Sequence, residues 1–194
     1  LEQLAVVVEQ SGDAAQASTL RREISSLRVE KLGDLEGAIT KHEETLRAKP
    51  DDVGTLTSLE ELYDKTGRSS DYLRVLERLA KIGTDVEKLR RLRRLASELE
   101  DRDGELDRAV AAWEQIIALD PKSDDSYRGL ARLYQRNEKW YELIAVYERH
   151  IAAQKTPSER ISLFLDMAKV YENELSDPHR ALEAYQNALA LDRG

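Results

Sequence analysis

The sequence contains no cysteine among its 194 residues. Disulfide bonds, zinc sites built on thiolates and a cysteine nucleophile are therefore excluded together. Glycine and proline are scarce, at nine and four residues, which argues against an all-β fold with many tight turns. Aromatic residues make up 6% of the chain, and no apolar run approaches the roughly 18 residues that a membrane-spanning helix needs.

Charged residues are abundant, at 35% of the chain, and the acidic ones dominate. There are 38 Asp and Glu residues against 30 Lys and Arg residues, which gives a net charge of −8. A globally acidic chain is a poor candidate for binding nucleic acid or anionic membranes. Leu, Ala, Glu and Arg are the commonest residues, and all four favour helices. The composition therefore predicts an all-α protein.

Two apolar patterns recur along the chain at spacings of 71 and 72 residues. They are Ala109-x3-Trp113-x2-Ile116 with Ala181-x3-Tyr185-x2-Ala188, and Leu56-x2-Leu59-x3-Tyr63 with Tyr127-x2-Leu130-x3-Tyr134. Within each pattern the apolar residues are spaced as on one face of an α-helix. Polar breaks, most of them marked by glycine or proline, fall about every 15–20 residues.

These patterns and breaks predict about eleven helices, with Asp34, Asp71 and Asp85 as candidate N-caps. The predicted helices are 1–10, 14–31, 34–48, 53–66, 69–82, 86–101, 105–118, 124–137, 139–153, 157–174 and 178–191. In pairs they give one domain over 1–194, made of a half-unit at 1–17 and five helix-turn-helix units. The units lie near 18–52, 53–88, 89–123, 124–160 and 161–194.

The paired patterns resemble the tetratricopeptide repeat (TPR). Its small and aromatic positions match the following residues: Tyr127, Leu130, Ala131 and Tyr134, then Phe164, Met167, Ala168 and Tyr171 with Ala181, Tyr185 and Ala188. The first unit departs from the pattern, with Arg28 where Tyr is expected. The resemblance implies a right-handed α-solenoid, and the long-array style is similar to that of bacterial TPR proteins. We expect the chain to be a fragment of a longer array, because Leu1–Gln10 matches a second helix.

The resemblance also implies that the first helix of each unit lines a concave groove. Six arginines occupy that face in the third and fourth units: Arg90, Arg93, Arg94, Arg128, Arg132 and Arg136. Guanidinium groups bind carboxylates or phosphates through paired hydrogen bonds. We therefore predict an acidic protein or peptide ligand, with Lys169 and Arg22 as extensions of the stripe. Ser97 and Arg132 stand where carboxylate-clamp TPR proteins have Asn, so that type of clamp is not predicted.

A competing interpretation is that these arginines pair within the protein, with Glu98, Glu100, Asp101 and the acidic turns. We also predict that most of the aromatic residues are structural. We predict core positions for Tyr63, Trp113, Tyr127, Tyr134, Tyr147, Phe164, Tyr171 and Tyr185.

No catalytic motif is present in the sequence, neither a nucleophile elbow nor a phosphate-binding glycine loop. The three histidines, His42, His150 and His179, fall in different units, so they cannot converge on one metal ion. We expect two of them to be partly buried and His179 to be exposed. The sequence therefore predicts no enzyme activity, no metal site and no cofactor.

The predicted function is a non-enzymatic, cytoplasmic scaffold that binds a protein partner in its groove. One alternative is a structural module that self-assembles through its terminal helices, with Leu1, Leu4 and Val8 seeking a partner helix. Another is a regulatory segment of an enzyme whose catalytic residues lie elsewhere.

Overall fold

The regular secondary structure in the described part of the protein is all helical. The computed structural model describes Gln16, residues 19–26 and residues 34–192. Residues 19–26 are helical, and residues 34–192 form nine α-helices with no strand among them. In chain order, α1 to α9 are Leu35–Ala48, Val53–Thr66, Ser69–Leu79, Asp85–Glu100, Leu106–Leu119, Asp124–Arg136, Trp140–Ala153, Pro157–Asn173 and Pro178–Asp192.

The all-α class predicted from the sequence is confirmed, and the predicted ends of these nine helices agree with the structure to within three residues. The predicted helices 1–10 and 14–31 lie wholly or partly outside the described residues.

The chain divides into two compact units, Leu1–Arg91 and Leu92–Gly194, and the division falls within α4. In the first unit α1 packs on α2, and α2 packs on α3. In the second unit each helix from α5 to α9 packs on the next one in sequence. This neighbour-on-neighbour packing is typical of repeat proteins. The predicted single domain and its repeat boundaries stay predictions.

Three helix starts test the predicted caps. The Asp34 carboxylate accepts a hydrogen bond at 2.8 Å from the backbone N–H three residues on, as an N-cap does. Asp85 is not a cap but the first residue of α4, and Thr84 takes the capping place. Thr84 and Glu87 bond each other's backbone N–H groups, at 3.4 Å and 2.8 Å, as a capping box. Asp71 lies inside the first turn of α3, so that cap prediction is also wrong.

The core of the second unit is apolar and contains several small side chains. Its main cluster comprises Leu143, Ile144, Met167, Ala168, Val170, Tyr171, Ala181 and Ala184. Ala168 and Ala181 are 0% and 4% exposed, so neighbouring helices approach closely at these positions, as the repeat pattern predicted.

A second close approach joins α5 and α6, where Gly129 lies against the Trp113 ring. A Cβ atom added to Gly129 would lie 2.7 Å from Cζ2 of Trp113, too close for a real side chain. Glycine at this helical position therefore serves packing, because it lets the largest side chain in the sequence lie flat against the next helix.

The aromatic residues follow the predicted core positions, with one exception. The buried ones are Tyr63, Trp113, Tyr127 and Tyr171, while Tyr134, Tyr147 and Phe164 are half-buried. Tyr185 on α9 is 37% exposed, so its predicted core position is wrong. No helix of the described chain follows α9 to cover this ring.

Candidate partner-binding site

The arginine positions predicted as a binding site lie on the polar sides of α4 and α6. On α6, Leu130 and Leu133 are buried, whereas the arginines between and beyond them are exposed. Helical spacing of four residues places Arg128, Arg132 and Arg136 on one side. The part of α4 from Leu92 onward also has buried apolar residues and exposed arginines. Five of these arginines lie in the compact unit Leu92–Gly194 and are exposed. We call them the arginine face: Arg93, Arg94, Arg128, Arg132 and Arg136.

Two arginines of α6 reach the C-terminal end of α4. Arg132 Nη2 donates to Glu100 at 3.0 Å and 3.3 Å from the two carboxylate oxygens. Arg136 Nη1 lies 3.5 Å from the Asp101 carboxylate, and Arg136 Nη2 also contacts the backbone carbonyl of Glu100. These contacts bring the arginines of α6 to the end of α4.

Glu100 is the anchor of these contacts, and its side chain is only 18% exposed. Besides Arg132, it accepts a hydrogen bond at 2.9 Å from the indole N–H of Trp113. Two such donors satisfy the hydrogen-bonding capacity of a carboxylate that is mostly buried. Glu100 thereby ties α5 and α6 to the end of α4.

Arg128 binds within its own helix, where Nε lies 2.7 Å from Asp124 Oδ2. Arg93 is exposed and forms no ion pair with any residue of the described chain. Arg94 is exposed as well. The arginine face thus combines pairs to nearby carboxylates with at least one guanidinium group open to solvent.

Arg90 belongs to the first unit, on the N-terminal part of α4. It is exposed near Glu87, whose carboxyl pKa is lowered, first by the backbone and side-chain hydrogen bonds from Thr84 and then by Arg91 and Arg90. Arg91, which the sequence pattern did not single out, is buried and donates to the carbonyl oxygens of Leu79 and Ile82, both at 2.9 Å. It satisfies the C-terminal end of α3 and is structural.

Lys169 and Arg22, which were predicted to extend the stripe of arginines, do not add free cations to the arginine face. Lys169 pairs with Asp166 on its own helix at 3.1 Å. Arg22 lies in the first unit and donates to Thr19 at 3.3 Å.

The alternative interpretation was that the arginines pair within the protein. It is confirmed for Arg132 and Arg136, which pair with Glu100 and Asp101. Glu98 pairs instead with Arg102, at 3.7 Å.

Two histidines are more deeply buried than the sequence predicted, and the third is exposed as predicted. His42 and His150 are each 3% exposed, and His179 is exposed. His150 Nε2 lies 2.8 Å from Asp124, and its ring stacks on Tyr127 at 4.7 Å between centroids. Burial lowers the pKa of His150, and the Asp124 carboxylate opposes that shift.

The described residues bring no three metal-binding side chains together. Among the described helices, none is both long and apolar enough to span a bilayer.

Sequence reasoning missed the role of Glu100, although a signal was available. Trp113 follows Glu100 by 13 residues, and Tyr185 follows Glu172 by the same interval. Tyr185 donates to Glu172 at 3.0 Å, so both pairs form the same bond between the two helices of a unit. A search for polar pairs that repeat with the apolar pattern would have found it.

The α6–α7 pair is where the chain matches a family model, that of the tetratricopeptide repeat, over residues 126–161. This segment is a tetratricopeptide repeat. The TPR resemblance drawn from the sequence is thus confirmed for this segment. No curated protein sequence matches this chain.

Several solved structures are similar to this chain. A structure of MamA AMB-1 is 19% identical with a TM-score of 0.51, covering 91% of this chain and 92% of that one. MamA from Desulfovibrio magneticus RS-1 is 19% identical with a TM-score of 0.45, covering 91% and 95%. YrrB, described as a TPR protein with an unusual peptide-binding site, is 11% identical with a TM-score of 0.47, covering 96% and 91%. At these identities the likeness concerns the fold alone.

Proposed function

We propose that this TPR scaffold binds an acidic segment of a partner protein on the arginine face of its second unit. The ligand's carboxylates bind the guanidinium groups of Arg93, Arg94, Arg128 and Arg136. Arg90, which lies in the first unit, is a separate candidate contact on the same helix. The scaffold binds without catalysing a reaction and needs no cofactor, and a cytoplasmic location stays a prediction.

One observation carries this proposal. Arg132 and Arg136 contact the end of α4, yet their side chains remain 57% and 53% exposed. Arg93 and Arg94 of α4 are exposed as well, so both helices present cationic groups to solvent. In an acidic chain, such a local concentration of positive charge favours a ligand of opposite charge.

The ion pairs already present do not prevent binding, because most of them are exposed. Asp101 is 92% exposed and Asp124 is 44% exposed. Exposed ion pairs contribute only about 0–1 kcal/mol, so a ligand's carboxylate can replace either one at little cost. Glu100 is different, since it is largely buried and also holds Trp113. We therefore assign Arg132 mainly to positioning α6 against α4.

Fluorescence anisotropy of a labelled decapeptide of alternating Glu and Ser tests this function. We expect the peptide to bind, and a Gln–Ser peptide of equal length not to bind. The double variant Arg93→Glu/Arg128→Glu should weaken binding by about tenfold or more, because each repulsive pair costs roughly what an exposed attractive pair provides, and often more. Raising the salt from about 0.05 M to about 0.3 M should weaken binding further.

A matched control is Arg47→Glu, which reverses the charge of an exposed arginine on α1. In the predicted repeat 18–52, α1 is the second helix and not the first. It should leave binding unchanged, and circular dichroism should report the same helicity for all variants. Equal binding by the double variant and the control would show that the arginine face serves only internal pairing.

A further inference from the structure

One carboxylate of the second unit joins a buried histidine to the arginine face. Asp124 lies in the first turn of α6, and its Oδ2 atom is 2.7 Å from Nε of Arg128. Its Oδ1 atom is 2.8 Å from Nε2 of His150 on α7 and also accepts a hydrogen bond at 3.1 Å from Gln154. The Arg128 side chain is 68% exposed, whereas His150 is buried. Asp124 therefore connects a titratable group in the interior to a guanidinium group at the surface.

The other ion pairs of the arginine face lack such a connection. Arg132 and Arg136 pair with Glu100 and Asp101, and within the described chain no histidine bonds to either carboxylate. Of these three ion pairs, the one that Arg128 forms is therefore the one that a histidine can influence directly.

The neighbours of His150 that carry no net charge hold its ring in place. The ring of Tyr127 on α6 stacks on it at 4.7 Å between centroids. Arg149 lies 5.8 Å from the same Tyr127 ring, but two nitrogens of its guanidinium group donate to Glu114 of α5, each at 2.7 Å. Because this pair is neutral as a whole, the charge balance at His150 depends on other residues of α6 and α8.

Charged groups on the two helices that pack on α7 set this balance. Burial lowers the pKa of His150, Asp124 of α6 and Glu159 of α8 oppose that shift, and Arg128 of α6 adds to it. A proton on His150 and the guanidinium group of Arg128 thus compete for one carboxylate. When Arg128 leaves Asp124, protonation of His150 becomes easier, and protonation of His150 in turn loosens the hold of Asp124 on Arg128.

We propose that Asp124 competes with the acidic ligand for Arg128, and that a proton on His150 weakens this internal competitor. The inference rests on the proposed function, because it concerns the affinity of the same arginine face. At neutral pH His150 is uncharged and Asp124 holds Arg128. In a more acidic medium protonated His150 takes over Asp124, and Arg128 binds the carboxylates of the ligand. Ligand affinity therefore rises as the pH falls, until the ligand's own carboxylates become protonated near about pH 4.3.

Fluorescence anisotropy of the Glu–Ser decapeptide at about pH 7.5 and about pH 5.5, at one salt concentration, tests this regulation. We expect the unmodified chain to bind about threefold more tightly, or better, at the lower pH. His150→Gln and Arg128→Gln should each largely remove that difference. The matched control is His42→Gln, which removes an equally buried histidine of the first unit and should keep the difference. Circular dichroism should report equal helicity at both pH values.

An NMR titration of the histidine side chains measures the same coupling without a substitution in the site. Since coupling between two bound species is reciprocal, saturating peptide should raise the pKa of His150 and leave that of His42 unchanged. In the absence of peptide, Arg128→Gln should raise the pKa of His150 as well, because a competing positive charge is removed.

The outcomes separate this inference from the proposed function. Equal binding at both pH values, with a pKa of His150 that the peptide does not change, would overturn the inference and leave the proposed function standing. A pH difference that persists in His150→Gln would also overturn it, because other groups would then be responsible. No binding at either pH would overturn the proposed function and this inference with it.

Discussion

Glu100 and Asp101 are neighbours in sequence, yet they hold their arginines very differently. The Glu100 side chain is 18% exposed and is fixed by Trp113, whereas Asp101 is 92% exposed and lies 3.5 Å from its arginine. The Glu100 carboxylate is therefore largely shielded from solvent and orders the contact between helices. The second is screened by water and contributes little, which leaves Arg136 open to exchange with a ligand.

The two buried histidines should make stability fall with acidity. Burial is the main cause that lowers the pKa of both His42 and His150, and it outweighs the opposing pull of nearby carboxylates. A histidine whose pKa is lowered in the folded state stays neutral there, while the unfolded chain takes up a proton below about pH 6.5. The unfolded state then binds more protons, so the free energy of unfolding decreases as the pH falls from about 7.5 to about 5.5.

Urea unfolding across this pH range measures the effect, with an expected slope of up to about 1.4 kcal/mol per pH unit for each histidine. The double variant His42→Gln/His150→Gln should have a flatter profile. His179→Gln, which changes an exposed histidine, should keep the wild-type slope. If all three chains give parallel profiles, the carboxylates and not the histidines govern the dependence.

The helices themselves were predictable because their signal is local. A face of regularly spaced apolar residues specifies a helix from within 15 or so residues, and the ends agreed to within three. The cap of α4 was misplaced because Asp and Thr are both good caps. Only Thr84 has a glutamate three residues on, and Asp85 has a lysine there. The tie from Glu100 to Arg132 was not visible in advance, because it joins residues 32 apart through two flexible side chains.

The contact between α5 and α6 depends on a glycine that looks unfavourable by helix propensity alone. Gly→Ala in a helix usually stabilises by up to about 1 kcal/mol. At Gly129 we expect the opposite, a loss of about 1–3 kcal/mol, because the new methyl group would collide with the Trp113 ring. Equilibrium unfolding in urea, followed by Trp fluorescence and circular dichroism, measures the change.

Gly54→Ala is the matched control for this prediction. Gly54 is also helical, but an added methyl group there would meet only the end of the flexible Arg22 side chain, at 2.9 Å. That variant should be as stable as the wild type or slightly more stable. A stabilising Gly129→Ala would mean that Trp113 moves aside freely and that the close approach is not required.

Within each compact unit, the described helices pack mainly on helices that are their neighbours in sequence. Each major contact in the described chain joins one helix to the next, and no strand ladder links distant segments there. Such stability is close to a sum of nearest-neighbour interfaces, so local damage need not spread along the chain.

Ala168→Asp tests this nearest-neighbour behaviour. Ala168 is 0% exposed in the core formed with α9, so an unpaired carboxylate there should unfold the α8–α9 pair. Native-state hydrogen exchange with mass spectrometry should then show lost protection in α8 and α9, while α1 to α3 keep theirs. Ala190→Asp places the same charge at an exposed site on α9 and should change neither region. Protection lost to an equal extent in α1 to α3 would instead mean that the chain folds as a single cooperative block.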